Sequence, residues 1–186
     1  LGLHYTTGYA FVFERLWGIN AFASAAFNVD TVSADEYGQA FSVLVPCTLD
    51  QVLWAGTVAA GADYQLRIYD TDGTTVLSTT EMDGDVTSGT GGQQNNTIVL
   101  TPSVSLLTGG TYRATIRPTT TNGITMQYFG LSTVDLLDTL PGGQNTYMTT
   151  QVDIGGTWTN YNAATVRRMR MALRFSAFDS GGGGLR

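Results

Sequence analysis

Side chains able to do acid–base or nucleophilic chemistry are scarce in this chain of 186 residues. It holds one histidine, His4, one cysteine, Cys47, and no lysine. A Ser-His-Asp or Cys-His machine needs its imidazole beside the nucleophile in a rigid pocket, and His4 stands in a segment that reads as an arm. A zinc centre lacks its usual imidazole and thiolate ligands. Neither a Gly-Lys-Ser/Thr phosphate loop nor a G-x-S-x-G elbow occurs. Polysaccharide cleavage needs only two carboxylates at a set separation. The chain has 15 acidic residues, but Asp72-Gly73 and Asp83-Gly84 are turn contexts, where aspartate serves the backbone. The expectation is a non-enzymatic protein with no catalytic residues and no organic cofactor.

Three patterns point to binding instead. Asp70, Asp72, Asp83 and Asp85 form two Asp-x-Asp pairs in separate loops. Such oxygens suit a structural calcium ion, although neither loop completes an EF-hand; two hairpin turns are the competing reading. Trp158, Asn160, Tyr161 and Asn162 fall within five residues. Exposed rings beside amides suit a glycan, whose C–H face stacks on the ring while the amides bind its hydroxyls. That platform requires a loop, which Gly155-Gly156 favours, because on a strand Tyr161 would point away from its neighbours. The competing reading makes Trp158 a core residue with Tyr161 at its rim. Lastly, residues 166–175 alternate. Met169, Met171, Leu173 and Phe175 share one face, and Arg168, Arg170 and Arg174 share the other. The arginine face is either solvated or in contact with an acidic neighbour, a role that another copy of this acidic chain would fill.

Net charge is −6, which removes the broad basic footprint of a nucleic-acid binder. A single cysteine excludes an intrachain disulfide. Cys47 sits in an apolar run and is expected to be a buried, inert thiol, with an interchain bridge as the alternative. No run of about 18 apolar residues occurs, so no membrane insertion is expected. The first residues carry no basic stretch and do not read as a signal peptide. The sequon Asn95-Asn96-Thr97 is short enough to occur by chance.

Positioning such residues falls to strands. Charged residues are only 13% of the chain, while 29 Thr, 14 Val and 20 aromatic residues suit a pleated, half-buried surface. Alternating runs are expected at 39–45, 49–55, 64–69, 74–80, 97–101, 112–118, 124–129, 147–152 and 166–175. Asp70-Thr-Asp-Gly73 is a hairpin turn between two of them, and residues 81–96 read as a long polar loop. Residues 1–30 read as an N-terminal arm or strand pair, with a short helix possible in the Ala-rich stretch 19–27. Residues 31–179 form the main domain, and 180–186 a flexible glycine tail. With no β-α-β alternation, the expected class is all-β: a two-sheet antiparallel β-sandwich of jelly-roll type. Phe41, Val43, Leu66, Ile68, Ile116, Met126 and Leu173 are the expected core. Phe11, Phe13, Trp17, Phe22 and Phe27 are too many rings for a free arm. The first four of these, with Arg168, Arg170 and Arg174, are candidate subunit contacts.

Two stretches carry a resemblance: Tyr64-Gln-Leu-Arg-Ile-Tyr-Asp-Thr-Asp-Gly73, and Leu106-Leu-Thr-Gly-Gly-Thr-Tyr112. Over residues 38–130 the order of motifs resembles jelly-roll modules of phage virion proteins and of secreted bacterial surface proteins. There, a strand ending in Ile-Tyr-Asp precedes Leu-x-x-Gly-x-x-Tyr. The resemblance implies a structural component of a virion surface (tail, fibre or capsid decoration), homo-oligomeric and touching neighbouring virion proteins. Its alternative is a carbohydrate-binding module or adhesin recognising cell-surface glycans. Either places the chain at a virion surface or outside the cell.

Overall fold

A computed structural model describes residues 24–29, 35–43, 46–83, 94–120, 123–131, 147–151, 157–160 and 166–178. Within them every regular element is a strand: β1 Ser24–Val29, β2 Glu36–Phe41, β3 Cys47–Val58, β4 Tyr64–Tyr69, β5 Val76–Met82, β6 Gln94–Leu106, β7 Tyr112–Pro118, β8 Ile124–Leu131, β9 Tyr147–Gln151, β10 Trp158–Asn160, β11 Val166–Met169 and β12 Met171–Phe178. They form two antiparallel sheets. The first runs β1-β8-β3-β12, with β6 on β3 and β11 on β8; the second runs β10-β9-β2-β7-β4-β5. The chain passes from one sheet to the other at most connections, and the tight hairpin β4–β5 is an exception.

Period-two alternation builds the core between the sheets. Tyr64, Leu66 and Ile68 of β4, and Tyr112, Ala114 and Ile116 of β7, face inward and are buried. Leu49, Val52 and Trp54 of β3, with Ile98 and Met126, meet them from the first sheet. Trp54 and Tyr64 close the contact edge to face, centroids 5.6 Å apart, a geometry that the ring quadrupoles favour. All seven expected core residues are buried there. Cys47 is a buried free thiol, and burial pushes its pKa up.

The Leu-x-x-Gly-x-x-Tyr motif is a corner. Leu106 ends β6 in the core, and Gly109 takes φ +97°, a conformation that costs other L-residues energy. The Tyr112 hydroxyl then accepts from Leu107 N at 2.9 Å and donates to Leu107 O at 3.0 Å. That clamps the loop to the start of β7.

Three boundaries differ from the sequence reading. Ser24–Val29 is a strand paired with β8, not part of a short helix, so the first sheet begins before residue 30. Strands reach Met82 and start again at Gln94, which shortens the polar loop expected at 81–96. The single strand expected over 166–175 is two. β3 and β8 pair only over Gly56–Val58 and Ile124–Met126. Where they part, β11 follows β8 and β12 follows β3. Arg170 bridges the fork: its N–H donates to Gln127 O at 2.9 Å, and its carbonyl accepts from Ala55 N at 2.8 Å. Both of its backbone groups are thereby satisfied. A buried bond from Met169 N to Gln39 Oε1, 2.9 Å, ties this point to the second sheet.

Candidate functional site

On the second sheet the residues between the core positions point outward. Outward on β4 are Gln65, Arg67 and Tyr69; on β7 they are Arg113, Thr115 and Arg117. The pairing sets Tyr69 opposite Arg113, Arg67 opposite Thr115, and Gln65 opposite Arg117. β2 adds Glu36 from the neighbouring strand.

Glu36 is only 2% exposed although it lies on the face away from the core. Its carboxylate accepts from Arg67 Nη1 at 3.2 Å, Tyr69 Oη at 2.9 Å and Thr115 Oγ1 at 3.1 Å. Arg117 Nη1 stands 3.7 Å away. A carboxylate out of water requires this density of donors and countercharge. Burial pushes the Tyr69 phenol pKa up, and the Glu36 charge adds to it, so the hydroxyl remains a donor. Arg67 also donates to Gln65 Oε1 through Nε and Nη2, at 2.9 and 2.7 Å. Gln65 in turn donates to Glu81.

Trp158 joins this face from the opposite edge. On β10 it sits opposite Gln151 of β9, and β10 is four strands from β4. A flat sheet would hold them ~19 Å apart. Instead, Trp158 Nε1 donates to Gly73 O at 2.8 Å in the β4–β5 turn. Its ring meets Tyr69 edge to face at 5.3 Å, and the Arg113 guanidinium lies 5.1 Å from its centroid. The second sheet therefore curls toward its outer side and makes that face concave. Gly73 is favoured by its φ of +73°, and a Cβ there would also press on Arg113 Nη1 at 3.0 Å. Hydrogen bond, ring contact and cation–π contact each contribute about 1 kcal/mol, enough together to hold one rotamer.

Of the expected glycan platform, Trp158 and Asn160 share the outward face of β10, as alternate residues of a strand must. The segment is a strand over residues 158–160 rather than the loop that the platform was expected to need. Asn160 Oδ1 accepts from Thr149 Oγ1 at 3.0 Å, and the residue is exposed. Tyr161 and Asn162 lie outside the described residues. Trp158 is half-buried, so it is neither a core residue nor a free ring.

The aspartate pairs separate. Asp70 and Asp72 lie in the β4–β5 turn, whereas Asp83 follows the far end of β5, roughly 23 Å away for a seven-residue strand. One ion cannot join the two loops. Asp70 Oδ1 accepts from Thr71 N at 2.7 Å. Asp72 Oδ1 accepts from Thr74 N and Thr75 N at 2.7 and 2.8 Å, and its Oδ2 from Thr75 Oγ1 at 2.6 Å. Among the described residues no three His, Cys, Asp or Glu side chains form a metal-holding group; Asp85 lies outside them.

The turn bonds hold the Asp72 carboxyl at about 2, below its ordinary 3.8. A depressed folded-state pKa adds stability above the unfolded value and loses it as pH falls through the folded one. The melting temperature should drop between pH 4 and pH 2, and Asp72→Ala should flatten that limb. Equal acid slopes for the two proteins would contradict the assignment.

Two arginines of the last strands, Arg170 and Arg174, bond within their own sheet. Arg170 Nη1 donates to Gln127 Oε1. Arg174 grips Asp50 with two bonds of 2.8 and 3.0 Å, which holds the Asp50 carboxyl below its usual range. The side chain of Arg168 lies outside the described residues, as do Phe11, Phe13, Trp17 and Phe22. Sequence reasoning missed Glu36, Arg67, Tyr69, Gly73, Arg113 and Arg117. Alternation marks the β4 and β7 members as outward, but only the curl brings them to Trp158.

Comparison with protein-family models and with curated proteins finds no match for this chain.

Proposed function

We propose that this chain is a non-enzymatic recognition module of a virion or other extracellular surface, and that it binds glycans on the concave outer face of its second sheet. The pinned indole of Trp158 carries this reading. A ring already fixed by Gly73, Tyr69 and Arg113 loses little freedom when a sugar stacks on it, and such preorganisation favours binding. Asn160 is exposed on the same face of β10 and supplies an amide partner for a sugar. A single shallow site of this kind should bind with a dissociation constant on the order of 0.1–1 mM and gain strength by repetition. On a glycan array the protein should mark a defined set of glycans, and Trp158→Ala, folded by its melting curve, should lose at least tenfold in signal. Equal signals from both proteins would sink the site.

One observation favours the structural reading as well, that of a homo-oligomeric virion component. Val76 and Leu77 on β5 and Val99 on β6 are exposed apolar side chains on the outermost described strands of the two sheets. Such edges are covered in stable assemblies. The mass in solution should be a multiple of 19.9 kDa; a monomer at high concentration would contradict this.

A further inference from the structure

Three of the chain's nine arginines stand on the concave face described above, on two adjacent strands. Arg113 and Arg117 are four residues apart on β7, ~13 Å along the strand, and Arg67 sits between them on β4. One buried carboxylate, Glu36, serves both Arg67 and Arg117. Two guanidinium groups on one carboxylate leave an excess of positive charge. The guanidinium side chains keep 20% and 15% of their surface in water, against 3% for the carboxylate. Glu81 and Asp72 lie at the margins, on the edge strand and in the turn. The Asp72 oxygens are turned back on Thr74 and Thr75.

We infer that the glycan taken by this face is acidic, and that the sugar carboxylates of a short uronic-acid chain meet Arg113 and Arg117, on either side of Arg67, while one ring stacks on Trp158. This rests on the glycan-binding reading above and narrows it to a ligand class. Guanidinium groups match planar carboxylates with paired hydrogen bonds. The spacing of the arginines, ~13 Å from end to end, spans more than one sugar residue. In a chain of net charge −6, an acidic ligand is held only where cations are gathered; the pairing of β4 with β7 gathers them, and the curl of the second sheet brings Trp158 beside them.

The test uses the full chain and titrates trigalacturonate, its methyl ester and a neutral cello-oligosaccharide of equal length by calorimetry. The acid should bind at least tenfold more tightly than its ester, and raising the salt should narrow the gap. Arg117→Gln should remove most of that preference, and Trp158→Ala should weaken acid and ester alike. Equal affinity for acid and ester, with both lost in Trp158→Ala, would overturn the acidic class and leave the glycan site standing. Binding of none of the three would overturn the acidic class, and a blank glycan array would then overturn the glycan site as well. A sulfated oligosaccharide bound more tightly than trigalacturonate would also overturn the carboxylate assignment. Should Arg117→Gln fail to fold, the comparison of acid with ester in the unaltered chain decides.

Discussion

Glu36→Ala should cost about 3–5 kcal/mol of stability, the usual effect of removing one partner from a buried ion pair. The loss has two sources. The Arg67 guanidinium stays in its half-buried place without its carboxylate, and Tyr69 and Thr115 lose their acceptor. Because those groups belong to one network, single changes will not add. Glu36→Leu combined with Arg67→Met should recover part of the loss, since an apolar pair of similar volume leaves Arg117 rather than two arginines without its countercharge. Denaturant unfolding measures both. A shift under about 1 kcal/mol for Glu36→Ala would mean that water reaches this carboxylate.

Ile68→Asp should abolish the fold. Ile68 is fully buried one residue from the end of β4, between Tyr64 and Leu66 on one side and the β4–β5 turn on the other. The change removes an apolar side chain worth about 2–3 kcal/mol of burial and sets a carboxylate where no donor waits, at a cost of several more. Domains of this size are stable by about 5–15 kcal/mol. Ile68→Val is the control and should cost about 1 kcal/mol. A cooperative melt for Ile68→Asp would contradict the placement of the core.

The core was legible because burial follows local alternation. Tyr64, Leu66 and Ile68, like Tyr112 and Ile116, announce one buried face within a single strand, and no knowledge of partners is needed. The β4–β5 hairpin was equally legible, since Asp72-Gly73 specifies its turn locally. What stayed hidden depends on relations between distant strands. Arg170 reads as one more alternating residue of a continuous strand, but the parting of β3 and β8 splits that strand there. Glu36 reads as an ordinary surface acid; its burial needs Arg67, Tyr69 and Thr115 brought from 31 to 79 residues away. Trp158 stands out in the sequence for its polar and aromatic neighbours there. The groups that fix its ring, Gly73, Tyr69 and Arg113, are neighbours only because the second sheet curls.

The most direct test of the binding face follows the tryptophan indoles by nuclear magnetic resonance. The chain has three tryptophans, Trp17, Trp54 and Trp158, so an amide correlation spectrum carries three indole N–H signals, assigned by single replacement. Trp54 is sealed in the core and serves as the internal reference. Titration with trigalacturonate should move the Trp158 signal saturably, with a midpoint on the order of 0.1–1 mM, while the Trp54 signal stays fixed. A Trp158 signal that remains still through the millimolar range, in a protein whose spectrum shows it to be folded, would contradict the assignment of this face.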